Sequence, residues 1–222
     1  MFSAGSAHAV PFCIATAIHP TGVNLGLTTN ELAFDIDSEV QGTPAGTPTQ
    51  SDCLTDWLLV ESSEPISLFS ADAARPYGFL APQDYLNSAT GSKKVMVRSQ
   101  SGGPSAGFPF LLRRASTFGK TFNATPEPVR KNAKIKIKAK LGHANWETLK
   151  YVGYAKRTVW VQFKKAGTST YVNTKKVTTA PGGVVSTSVV AKADGTWRLK
   201  YAGTASVYGP ASSAGDYVDV RG

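Results

Sequence analysis

Lys134-Ile135-Lys136-Ile137-Lys138-Ala139-Lys140-Leu141 decides the fold class. Every even position is lysine and every odd one is apolar. An extended strand turns successive side chains to opposite faces, so this segment carries one wet cationic face and one dry face. A helix would scatter the four lysines around its circumference. The stretch therefore reads as one wall of a β-sandwich, with its apolar side toward a core.

The same alternation spreads outward through the second half of the chain. Seven strands are expected: 117–123, 134–141, 158–163, 171–178, 184–191, 196–201 and 217–220. Gly, Pro and Asn turns separate them, including Pro126-Glu127-Pro128 and Asp194-Gly195. That count and spacing fit an immunoglobulin-like sandwich without the inter-sheet disulfide, because this half contains no cysteine. His143–Tyr154 interrupts the series as an aromatic-rich insert. Its Trp146, Tyr151 and Tyr154 are candidate partner contacts, since aromatic loops are common binding surfaces; taken singly, each suits a core equally well.

The first half reads as a less regular β domain of five or six strands. Leu32, Phe34 and Ile36 line one face of a strand, and Trp57–Val60, Lys94–Arg98 and Phe108–Leu112 read as others. One helical turn is expected within Tyr77–Tyr85. Before these runs Val10–Ile18, an apolar extension with Phe12, Ile14 and Ile18, which needs a cover and is a candidate for adding to a partner's sheet edge. Ala7-His8-Ala9 has the form of a signal-peptidase site, so residues 1–9 read as the remnant of an export signal, followed by domains at 10–115 and 116–222. Cys13 and Cys53 suit neither a redox pair nor a zinc site. In an oxidising, extracellular setting they suit one disulfide.

Charge supports the same division. The chain carries a net +9. Residues 1–115 hold six basic and ten acidic side chains, a net of −4, whereas residues 116–222 hold eighteen and five, a net of +13. The basic half suits either general solubility or an anionic partner. Lys164/Lys165 and Lys175/Lys176 are candidates to extend the lysine stripe. Interleaved aromatics for stacking nucleic-acid bases are not evident beside it, and lysines also guard exposed sheet edges.

No constellation for catalysis stands out, and no metal or cofactor is expected. The three histidines have no Gly-x-Ser-x-Gly elbow, HExxH or phosphate loop to work with. Asp35, Asp37 and Glu39 mimic the opening of a calcium loop, but Val40 stands where that loop needs glycine and Gly46 where it needs glutamate.

Phe122–Val129, Asn145-Trp146-Glu147 with Tyr151–Tyr154, Val161–Lys165 and Ala214–Val220 resemble, in order, motifs of small secreted immunoglobulin-like proteins of Streptomyces and related actinobacteria. The resemblance spans about residues 110–221. It implies an exported domain preceded by a second β domain. The two-domain layout with a sticky extension also resembles the adaptor that joins lectin-bearing subunits to the repeat-rich polypeptide of umbrella toxin particles. The expectation is thus an all-β chain of two immunoglobulin-like β-sandwich domains in tandem. It would act as a secreted, non-catalytic adaptor joining other extracellular proteins. The alternative is a cationic module for anionic cell-surface polymers; nucleic acid is the less favoured partner.

Overall fold

A computed structural model describes residues 12–41, 57–61, 77–99 and 104–222. The described residues are all-β apart from three short 3-10 turns. They form two compact units, both sandwiches of the immunoglobulin-like kind. Unit 1 comprises Met1–Val23, Thr28–Asp84 and Gly91–Leu112; unit 2 comprises Asn24–Leu27, Tyr85–Thr90 and Arg113–Gly222. The expected boundary is Ala115/Ser116; the main division lies between Leu112 and Arg113. Two short segments from the first half also belong to unit 2, which sequence position alone did not suggest.

Unit 1 contains β1 (Phe12–His19), β2 (Gly22–Leu25), β3 (Asn30–Ala33), β4 (Asp35–Gln41), β5 (Trp57–Glu61), β6 (Tyr77–Leu80), β7 (Gly91–Ser99) and β8 (Ala106–Arg114), the last residues of β2 and β8 passing into unit 2. Strands β2-β8-β7-β5 make one sheet, while β1 pairs with β4 and β3 with β6. Ile18, Phe34, Leu80, Val95, Val97 and Phe110 are buried, and the Phe34 and Phe110 rings meet at 5.9 Å. The helical turn expected within Tyr77–Tyr85 is a strand followed by a 3-10 turn at Pro82–Asp84.

Unit 2 contributes β9 (Ser116–Thr117), β10 (Asn123–Thr125), β11 (Val129–Arg130), β12 (Lys134–Lys140), β13 (Gly142–Asn145), β14 (Lys150–Gly153), β15 (Thr158–Lys165) and β16 (Val172–Thr178). It continues with β17 (Val184–Val190), β18 (Gly195–Tyr201), β19 (Ala211–Ser212), β20 (Asp216–Val218) and β21 (Val220–Arg221). One sheet runs β10-β12-β17; the other runs β16-β15-β18 with β19 and β20 both on β18. Strand β10 joins the first of these sheets through β12, and β11 pairs in parallel with β21 as a separate two-stranded ladder. The single strand expected at 117–123 is two short ones, β9 pairing with β13 and β10 with β12, with the buried Phe118 between them.

The alternation of β12 is realised residue by residue. Ile135 and Ile137 are fully buried while the flanking lysines are exposed. They face Val159, Val161, Trp197, Leu199 and Val218 across one core. Burying each isoleucine contributes about 1.5–3 kcal/mol. Gly183 lets the edge turn close: it has φ +79°, and a Cβ there would collide with the Leu141 carbonyl. Backbone bonds from Leu141 to Gly183 and from Tyr154 to Leu141 use that approach.

Candidate functional site

The aromatic insert is a hairpin, β13-β14, and its tryptophan points inward. Trp146 is 1% exposed, its Nε1 donates to the Leu25 carbonyl at 3.2 Å, and its ring meets Tyr85 at 5.8 Å. Asn87 fixes the tip: its Oδ1 accepts from Trp146 N at 3.0 Å and its Nδ2 donates to Asn145 Oδ1 at 3.0 Å. Tyr154 is also buried, beside His143, Tyr208 and Tyr201, with the Arg157 guanidinium 4.3 Å from its ring centre. Trp146 and Tyr154 are therefore core residues, a correction to their reading as partner contacts. Tyr151 is exposed, at 46%.

The apolar extension is also largely covered. It forms β1, paired in antiparallel register with β4 from Phe12↔Gln41 to His19↔Asp35. Ile18 is 2% exposed and Ala15 5%, while Ile14 is half-buried. Ile18 is thus a core residue of unit 1 rather than a free contact. The Phe12 and Cys13 side chains and all of Cys53 lie outside the described residues, and with them the expected disulfide. Asp35, Asp37 and Glu39 occupy alternate, exposed positions of β4. They form a straight row on one strand face rather than the ring of ligands that a calcium loop wraps around its ion. Asp37 instead lies 3.6 Å from His19 Nε2.

The lysine stripe has a definite setting. β12 is the central strand of its sheet, flanked by β10 and β17. These lysines therefore guard no edge, which removes one ordinary reason for them. Lys134, Lys136, Lys138 and Lys140 are all exposed and span about 20 Å along the strand. Their neighbours across the ladder are Val190, Ser188, Ser186 and Val184 on one side, with Thr125 and Asn123 on the other. No carboxylate occupies this register, and none of the four lysines is ion-paired among the described residues.

The other lysines do not extend this row. Lys164 and Lys176 belong to the outer face of the opposite sheet, and Lys175 closes the sandwich edge by donating from Nζ to the Ser188 carbonyl at 3.0 Å. That opposite face is mixed. Trp160 has Lys176 beside it on β16 and Lys200 beside it on β18; Lys176 Nζ sits 5.1 Å from the indole centre. One step along, Gln162 lies between Asn173 and Arg198. Its Oε1 accepts from Arg198 Nε at 2.8 Å, and its Nε2 donates to Asn173 Oδ1 at 2.8 Å. The Arg198 guanidinium lies 3.7 Å from the Tyr171 ring centre, and Lys164 Nζ reaches the same ring at 5.2 Å. Ring and amide together hold the arginine in one orientation.

This face escaped the sequence reading because its residues come from three strands and the residue before β16. The signal was present in Trp160-x-Gln162-x-Lys164 and Thr196-x-Arg198-x-Lys200, each alternating like β12. Only the pairing Trp160↔Lys200 shows that the two series lie side by side.

No protein-family profile matches the chain, and no curated protein matches it. Solved structures do resemble it. The I-band fragment I67–I69 from titin is 12% identical, with 96% of this chain and 66% of that chain covered and a TM-score of 0.32. The D0–D1 domain of Intimin is 11% identical, with 94% and 99% covered and a TM-score of 0.30. A superoxide reductase (neelaredoxin) from Ignicoccus hospitalis is 19% identical, with 46% and 80% covered and a TM-score of 0.32. With TM-scores this low, strand order and register, not likeness, establish the sandwich.

Among the described residues no group of His, Cys, Asp and Glu is arranged to hold a metal ion. Asp216 and Asp219 are taken by structure: Asp216 Oδ2 accepts from Ala124 N at 2.8 Å, and Asp219 Oδ2 from Arg221 Nε at 3.2 Å.

Proposed function

We propose that the protein is a secreted, non-catalytic binding module that holds an anionic cell-surface polymer on unit 2. The observation that carries this reading is the row of four exposed lysines on a central strand, with no acid beside it. A central strand needs no edge protection, and four like charges in one row repel one another. A polyanion laid along the row relieves that repulsion and releases its own counterions. Four neutralised phosphates at a slope of about −0.7 each weaken binding about 50-fold when salt rises fourfold.

The test is sedimentation of the full chain with washed bacterial cell envelopes at low and moderate salt, beside the K134Q/K136Q/K138Q/K140Q variant. The reading expects strong, salt-sensitive binding that the variant weakens. Binding indifferent to both salt and variant would sink it.

A protein-joining adaptor, within a toxin particle or elsewhere, is the second reading. Its first motive weakens, because Ala15 and Ile18 find their cover within unit 1. What favours it is the hairpin, where Leu149 and Tyr151 are exposed at 47% and 46%. Affinity purification from culture supernatant checks it: fixed-ratio companions that disappear in an L149S/Y151S variant would support it.

A further inference from the structure

We infer that unit 2 has a second polyanion site on the sheet opposite the lysine row, and that one molecule thereby bridges two chains of a linear polyphosphodiester with short polyol spacers. The inference rests on the polymer-binding reading above and adds valency and ligand class to it.

The second site is built, not merely basic. Lys164, Lys176, Arg198 and Lys200 converge on the outer face of β16-β15-β18. Three of them are held by neighbours: Lys176 over Trp160, and Arg198 and Lys164 over Tyr171. Gln162, 6% exposed, accepts from Arg198 Nε and so leaves the terminal guanidinium nitrogens out of that bond. A guanidinium fixed in this way presents a fork that matches two oxygens of one phosphate. Ordering the cations in advance lowers the entropy cost of binding.

The two sites face opposite ways. Ile135 and Ile137 of β12 pack into the same core as Val159 and Val161 of β15, so the outward residues of these strands point away from each other. The sheets of a sandwich lie about 10 Å apart, so a single flexible chain passing over one face does not reach the other without rounding an edge. Two polymer chains can occupy the faces together.

The ligand class follows from what the faces lack. The lysine row has no aromatic neighbour in its register. On the other face, cations already lie over Trp160 and Tyr171, leaving Tyr217 as the exposed ring. Nucleic-acid bases need open rings to stack on. A polymer without bases, carrying one phosphate per short spacer, needs only the cations. Lysines two residues apart recur about every 7 Å, a spacing an extended three-carbon phosphodiester repeat can follow.

The experiment mixes the full chain with purified poly(glycerol phosphate) and follows light scattering as the protein-to-polymer ratio rises. Anisotropy of labelled polymer reports binding separately. Scattering should rise severalfold, pass a maximum and fall when protein is in excess. K134Q/K136Q/K138Q/K140Q and K176Q/R198Q/K200Q, each checked by circular dichroism, should both still bind the polymer and both fail to scatter. If the first variant abolishes binding and the second changes nothing, polymer binding stands and the second site falls. If the wild-type protein ignores the polymer and envelopes alike, both readings fall. If single-stranded DNA of equal charge displaces the polymer at tenfold lower concentration, the ligand class is overturned. If either variant still scatters as the wild type does, bridging through two faces is overturned.

Discussion

The indole nitrogen of Trp146 donates to the backbone carbonyl of Leu25, 121 positions earlier in the chain, at 3.2 Å. The bond lies wholly within unit 2, since Asn24–Leu27 is counted in that unit. A segment of first-half sequence is thus part of the second domain's core, and the aromatic hairpin is a structural clamp around it.

Trp146→Ala should lower the stability of unit 2 by about 3–5 kcal/mol, the usual cost of emptying a buried aromatic site. Trp146→Phe should cost less, because the Leu25 carbonyl loses the indole donor but keeps its bond from Ala115 N at 2.8 Å; the lost bond is worth about 0.5–1.5 kcal/mol. Asn87→Ala should also destabilise unit 2, although Asn87 lies far from it in sequence. Differential scanning calorimetry resolves the transitions; a change confined to unit 1 would refute the placement.

Removing the lysine row should leave folding almost untouched. Each exposed Lys→Gln change on β12 should alter stability by no more than about 0.5 kcal/mol, because Ile135 and Ile137 carry the burial. The quadruple variant should reduce the dependence of polymer affinity on salt, by about 0.7 in log–log slope for each phosphate no longer neutralised. Urea unfolding and salt-titrated anisotropy measure the two quantities.

Tyr171→Leu should weaken polymer binding while preserving every charge. The ring holds Arg198 at 3.7 Å and Lys164 at 5.2 Å. Freeing them costs about 0.5–1.5 kcal/mol per side chain on binding, or roughly two- to tenfold in affinity. Isothermal titration calorimetry should show a less favourable entropy. An unchanged affinity would mean that the ring does not orient the cations.

Stability should fall on the acid side through His143. Burial lowers its pKa below the ordinary value, and the nearby Arg114 and Arg157 lower it further; a backbone contact to Ala144 opposes them. Its Nδ1 lies 3.2 Å from Arg114 Nη2, which can only donate, and 3.1 Å from the Ala144 carbonyl, which can only accept. Gaining a proton therefore trades the first contact for the second and sets a third cation beside two. A depressed pKa in the folded state favours the unfolded chain's proton uptake. The contribution is complete above the unfolded value of about 6.5 and is lost as pH falls through the folded value. His143→Gln should flatten melting temperature against pH in that window.

Calcium should not shift melting. Asp35, Asp37 and Glu39 stand in a line on β4 rather than around a point. A thermal scan with calcium and with a chelator should give superimposable curves.

The sequence by itself determined the all-β character, the two faces of β12 and the charge contrast between the halves. These are properties of local alternation and composition, readable without knowing which strand lies beside which. Only the tertiary structure decided that β12 is central, that Trp146 and Tyr154 face inward, and that Trp160 stands between Lys176 and Lys200. Each depends on strand order, and strand order is set by burying distant apolar faces together. An alternating pattern says that a residue points outward; the neighbouring strand decides what it points outward beside.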